Sequence, residues 1–159
     1  MSHELDDVDR GILYLLQRDA RDTTAQEIAD MVGVSASTVR NRIDQLEAAG
    51  VIRGYQPEID YEAANLPLRV KFIITAPPTE RSGYVDQLLD IKGVVDVAEM
   101  LTGTDNLHVE AVGTSTTDVS RISDAVHELG LSIERSDIMK RRRMQPFDHF
   151  HYHGDVGEE

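Results

Sequence analysis

Ser37, Thr38, Arg40, Asn41, Arg42 and Gln45 lie within one short stretch and carry the side chains that grip or read a nucleic acid. Asn and Gln pair bidentately with adenine, Arg with guanine, and Ser or Thr with bases or phosphates. Stepped at about 100° per residue, Val39, Ile43 and Leu46 define one side of a helix, and Ser37, Thr38, Arg40, Asn41, Asp44 and Gln45 occupy the opposite arc. That arc is chemically competent for the major groove. Arg42 falls nearer the apolar side, where it either braces the helix or touches a phosphate. From Ser35 to Tyr55 the charges are Arg40, Arg42 and Arg53 against Asp44 and Glu47, a net of +1, whereas residues 1–55 together carry six arginines and ten acids. The same residue types also solvate ordinary helices, so the elements around them must decide.

Those elements form a tri-helical unit. Val8, Ile12, Leu15 and Leu16 make one stripe over Asp7 to Ala20, with Asp6 or Asp7 as N-cap. Thr24 opens a second helix as a capping box with Glu27, its inner face is Ile28, Ala29 and Val32, and Gly33 stops it. Ser35 caps the third, which runs to about Ala49 before Gly50. Two short helices across a Gly-containing turn are a helix-turn-helix signature, which favours the groove-reading interpretation of the third helix. Beyond it, Val51, Ile52 and Tyr55 read as a strand, followed by a hinge to Leu66.

A second unit follows: strand Arg69 to Ala76, helix about Thr79 to Ile91, strand Val94 to Leu101, a turn at Thr102 to Asp105, strand Asn106 to Val112, helix about Thr116 to Leu129, and strand Leu131 to about Arg142. The order βαββαβ is that of a ferredoxin-like fold, giving an α+β chain. Two helices cover one sheet face. The other is expected to be apolar and to need a partner, for which the same face of a second copy is the natural choice. The expected divisions are 1–55, hinge 56–66, 67–145, and a His-rich, polar, mobile tail over 146–159.

Composition narrows the function classes. Twenty-nine acids against 16 bases leave 159 residues with a formal charge of −13, so most of the surface repels nucleic acid and anionic membranes, and any DNA contact must be local. The absence of cysteine excludes disulfides, thiolate metal sites and cysteine nucleophiles. Met1 to Asp9 carry no apolar run, so no signal peptide or membrane span is expected and a cytoplasmic location is. Lysines number three beside thirteen arginines, and aspartates exceed glutamates by 17 to 12. We read this as a halophile signature: in molar salt the Debye length is about 3 Å, and self-repulsion is largely screened.

The residues Leu5-Asp6, Asp9-Arg10, Ile12-Leu13, Leu16-Gln17 and Asp19-Ala20-Arg21, then Glu27-Ile28-Ala29, Val32-Gly33-Val34-Ser35, Thr38-Val39, Arg42-Ile43, Leu46-Glu47 and Gly50-Val51-Ile52 resemble the leucine- and asparagine-responsive regulators, the Lrp/AsnC family. The resemblance covers residues 5 to about 144, and the expected source is a halophilic archaeon. It implies a winged helix-turn-helix joined by a hinge strand to a ferredoxin-like effector domain. It also implies dimers, often stacked into octamers, on pseudo-palindromic promoter DNA, with a small effector, usually an amino acid, held near a loop between central strands. The matching turn is Thr102 to Leu107, which makes Gly103, Thr104, Asp105 and Asn106 the effector candidates; Thr104 and Asp105 depart from the family pattern. Gly103 permits positive φ and exposes N–H groups to a carboxylate, and Asp105 or Asn106 would take an ammonium. A plain β-hairpin turn uses the same residue types.

His149, His151 and His153 alternate beside Asp148 and Asp155, a pattern that suits a divalent transition metal, but nothing orients the rings and no metal or other cofactor is expected. Lys140-Arg141-Arg142-Arg143 is the strongest basic run, expected to pair with carboxylates of its own or a neighbouring subunit rather than with DNA. The chain is therefore read as a promoter-binding regulator and not as an enzyme. Two alternatives stand beside it. One is a siroheme-decarboxylase-like enzyme of the same architecture, whose Arg and His-Asn-Tyr pattern Leu101 to His108 lacks. The other is a metal or metabolite sensor that does not touch DNA.

Overall fold

Asp6 begins the first helix by local chemistry: its carboxylate accepts from the Asp9 N–H while Asp9 returns a bond to the Asp6 N–H. The computed structural model describes residues 4–150 and divides them into two compact units. No helix among the described residues is long and apolar enough to cross a membrane. The first unit holds α1 (Asp7–Arg18), α2 (Ala25–Val32) and α3 (Ala36–Ala48). Thr24 and Glu27 close the α2 capping box, and Gly33 ends α2 in the left-handed conformation at φ +77°. Ile12, Leu15, Ile28, Ala29, Val39 and Leu46 meet in a buried core.

Two expectations about this part of the chain are corrected. Residues 51–57 form no strand, because a strand exists only where its N–H and C=O groups find a ladder partner, and this stretch pairs with none. Residues 143–145, expected to close the second domain, and 146–150, expected to begin a mobile tail, belong to the first unit. There the Phe147 N–H donates to Gln17 Oε1 at 3.2 Å, a short 3-10 turn spans Asp148–Phe150, and Phe150 packs against the α1–α3 core.

The second unit, Glu58–Arg142, holds β1 (Leu68–Thr75), α4 (Arg81–Leu89), β2 (Val94–Glu99), β3 (Leu107–Gly113), α5 (Thr116–Glu128) and β4 (Ser132–Ile138). The strand order β2-β3-β1-β4, antiparallel throughout, is the ferredoxin-like arrangement. Val70, Phe72 and Ile74 of β1 and Leu107, Val109 and Ala111 of β3 share the face covered by Leu88 of α4 and Ile122 and Val126 of α5. β4 stops at Ile138 rather than near Arg142: the Met139 N–H makes a last bond to the Arg69 carbonyl at 2.7 Å, and β1, which starts at Leu68, offers no strand beyond that for residues 140–142 to pair with.

The other sheet face differs from the apolar patch expected of it. Register places Lys71 between Glu110 and Asp137, and Ile73 between His108 and Arg135, so charge alternates across neighbouring strands. Arg69 is ion-paired with the buried Glu110, and Ile73 is a buried apolar member. The hinge residues 60–66 fold into a turn in which Asp60 Oδ1 accepts from the Ala63 N–H at 3.0 Å.

Candidate nucleic-acid interface and effector region

Ser35 fixes the start of α3. Its Oγ accepts from the Thr38 N–H at 3.1 Å and lies 3.0 Å from Ser37 Oγ and 2.8 Å from Thr38 Oγ1. These contacts point the first turn outward with its hydroxyls in one cluster, next to N–H groups that attract an anion. Val39 and Leu46 are fully buried on the opposite side, which anchors the rod and leaves Ser37, Arg40, Asn41, Asp44 and Gln45 exposed together. Thr38 is half-buried. The turn before α3 is tight: the Gly33 and Val34 N–H groups both donate to the Ala29 carbonyl, at 2.9 and 3.2 Å.

Arg42 belongs to a different part of the architecture. Its Nη1 lies 2.9 Å from Asp6 Oδ2 and 3.3 Å from Asp9 Oδ1, and Asp9 is 1% exposed. The guanidinium therefore joins the middle of α3 to the capped start of α1, and of the two roles left open for it, the brace is the one its geometry fits. The Asp6 carboxyl is held below its ordinary value chiefly by the Asp9 N–H bond, with Arg42 adding to it. The sequence offered Asp6 or Asp7 as the N-cap and gave no sign of Asp9 as the partner of Arg42. With Arg42 engaged, the outward charge of α3 is nearly balanced, Arg40 facing outward beside Asp44. Glu47 accepts from the Tyr55 hydroxyl at 2.8 Å, and burial, reinforced by Glu47, pushes that hydroxyl up to about 12.

In the second unit the turn after β2 has Gly103 at φ +91° and Asp105 at φ +56°. Gly103, Thr104 and Asp105 are exposed, beside Leu101 at 84%. The Asp105 N–H donates to Thr75 Oγ1 at 3.1 Å, and the Asp105 carbonyl lies 3.1 Å from His108 Nε2. Asn106 is 1% exposed: its Oδ1 accepts from the Ala76 N–H at 2.9 Å and its Nδ2 donates to the Ala76 carbonyl at 2.8 Å. Both ends of that amide are engaged by backbone, so Asn106, read from the sequence as one of two candidate ammonium acceptors, ties the turn to the end of β1. Among the described residues no three His, Asp or Glu side chains are placed to hold a metal ion; His151, His153 and the His149 side chain lie outside them.

Comparison with known proteins agrees with this geometry. A winged helix-turn-helix DNA-binding family matches residues 5–53. The chain is 39% identical over 113 residues to the HTH-type transcriptional regulator AldR of Mycobacterium tuberculosis, covering 68% of this chain and 62% of that protein. It is 31% identical over 102 residues to the regulator LrpA of the same organism, covering 62% of this chain and 67% of that one. The crystal structure of that leucine response regulatory protein superposes with a TM-score of 0.74 at 25% identity, over 94% of this chain and 99% of that one. A Neisseria meningitidis transcriptional regulator solved with L-Met shares the fold, with a TM-score of 0.73 at 23% identity over 90% and 94% of the two chains. The aligned stretch spans less than two thirds of AldR, so likeness in sequence is concentrated in part of each protein. Capped helices, ferredoxin-like sheet and sequence similarity together lead to one assignment: this chain belongs to the Lrp/AsnC family of helix-turn-helix transcriptional regulators.

Proposed function

We propose that the chain is a sequence-specific, promoter-binding transcription regulator that answers to a small effector, an amino acid. The observation that carries this is the exposed arc Ser37, Arg40, Asn41 and Gln45 on a capped helix whose other side buries Val39 and Leu46. Ser37, Thr38, Arg40, Asn41 and Gln45 face the groove; Arg42 supports them from behind. The L-Met complex of the Neisseria relative supports an amino acid as the effector class. Gly103, Thr104 and Asp105 form the exposed surface of the turn that would meet it, and Asn106 holds that turn in shape.

The working form is a cytoplasmic homodimer able to stack further, up to an octamer, with two half-sites one helical turn or a multiple apart. The acidic, lysine-poor composition suits the molar-salt interior of a halophilic archaeon. A nearly neutral reading helix makes few phosphate contacts, so the log–log dependence of operator affinity on salt is shallow, far from the slope of about 9 that ten contacts give.

Promoter fragments bound in a mobility-shift titration test the proposal. Arg40→Ala and Asn41→Ala each cost roughly 1–3 kcal/mol on the correct sequence and relax discrimination at one base pair. Unchanged occupancy in the double variant would remove α3 as the reader and favour a sensor that works without DNA.

A further inference from the structure

The charged side chains of α3 divide into those already engaged and those left over. Arg42 is held by Asp6 and Asp9, and Glu47 accepts from the Tyr55 hydroxyl. Arg40 and Asp44 remain, both exposed and, among the described residues, without an ion pair or a side-chain hydrogen bond. The reading set Ser37, Thr38, Arg40, Asn41 and Gln45 leaves Asp44 unused. An acid on that face needs a reason, because a duplex carries one phosphate charge for about every 1.7 Å of its axis.

Asp44 does not sit at the margin of the face. Val39 and Leu46 are fully buried and Ile43 is half-buried beside them. Stepped at about 100° per residue from the middle of that apolar side, Ser37, Asn41 and Asp44 all fall within about 50° of the centre of the exposed arc, whereas Arg40 reaches in from about 90°. Ser37, Asn41 and Asp44 thus form one ridge with the spacing i, i+4, i+7. A pose that seats Ser37 and Asn41 against base edges carries Asp44 into the groove on the same ridge.

We infer that Asp44 is a specificity-determining residue: its carboxylate accepts from the exocyclic amino group of a cytosine in the major groove, close to the guanine met by Arg40. An ionised carboxylate has acceptors only. In the major groove guanine offers two acceptors and thymine an acceptor and a methyl group, so both are refused. Adenine sets an acceptor nitrogen beside its amino group, against the second carboxylate oxygen, and cytosine alone presents a donor without that neighbour. The charge therefore rejects wrong bases, where it is stripped of water without receiving a donor, and it weakens binding to DNA at large, whose phosphates are common to every sequence. Discrimination comes from repulsion as well as attraction. Four residues of helix span about 6 Å, or roughly two base-pair steps of about 3.4 Å, so the cytosine and the guanine lie within about two base pairs of each other. The inference rests on the reading of α3 as the element that recognises sequence.

Selection by the full chain from a pool of duplexes with randomised half-sites tests it, with the folding of each variant checked by circular dichroism. Arg40→Ala marks the base pair that Arg40 reads, as the position whose preference it loses. The wild type is expected to enrich a cytosine within two base pairs of that position. In mobility-shift titrations Asp44→Ala loses about tenfold in discrimination at the cytosine and binds unrelated DNA more tightly, while Asp44→Asn, which has a donor beside its acceptor, moves the preference from cytosine to adenine. A selected site without that cytosine, or Asp44 variants that discriminate as the wild type does, would make Asp44 a solvated surface acid and overturn the inference while leaving α3 as the reader. Enrichment of no sequence by the wild type would sink the reader and the inference together.

Discussion

Replacing Arg42 with methionine separates a brace from a DNA contact. The substitution keeps an unbranched stem while deleting the charge that meets Asp6 and Asp9. Removing one partner of a fully buried pair costs about 3–5 kcal/mol, whereas exposed pairs are worth about 0–1. Arg42 is 31% exposed but Asp9 is 1% exposed, and Asp9 keeps the Asp6 N–H as a donor at 3.3 Å. The expected loss is therefore intermediate, about 2 kcal/mol, which lowers the Tm of a unit this small by roughly 10 °C. Thermal denaturation followed by circular dichroism reads it, and Asp9→Asn in a double-mutant cycle with Arg42→Met shows strong coupling. The salt series of promoter binding supplies the opposing outcome. If Arg42 contacts a phosphate, Tm stays put, affinity falls on every sequence alike, and the salt slope drops by about 1. That combination would refute the brace.

Three further outcomes are expected. Asn106→Asp puts a carboxylate against the Ala76 carbonyl and removes the donor that satisfied it, so the second unit loses about 2–3 kcal/mol in chemical denaturation; an unchanged midpoint would remove Asn106 from the frame. Tyr55 ionises near pH 12 rather than about 10, so the stability it lends is complete below pH ~10 and is lost as pH rises through the folded value. Ultraviolet titration of wild type against Glu47→Gln reads this directly, and the variant titrates at lower pH. Phe150→Ala empties a half-buried place against the α1–α3 core and costs about 2 kcal/mol, less than a fully buried phenylalanine; loss of nothing in denaturant would mean that residues 143–150 do not hold to the first unit.

Local chemistry made much of the chain legible in advance. Thr24 with Glu27, Ser35 before α3, and Gly33 at positive φ mark the helices because each acts on backbone groups within four residues. Periodicity separated the buried Val39 and Leu46 from the exposed Asn41 and Gln45, and strand and helix patterns were enough for βαββαβ. Partners distant in sequence needed the tertiary structure. Arg42 turns to Asp9, 33 residues away, and Asn106 to Ala76, 30 away, so neither role is written near the residue itself. The open sheet face is charged because register sets Lys71 beside Glu110 and Asp137, and a shift of one residue would present the other set of side chains. Residues 51–57 have strand-forming side chains but no neighbour to complete a ladder. The sequence by itself thus determined every feature that a short run of backbone and its own side chains can satisfy. Folding alone decided where charges separated by tens of residues find or miss each other, because their energies depend on distances that no local pattern sets.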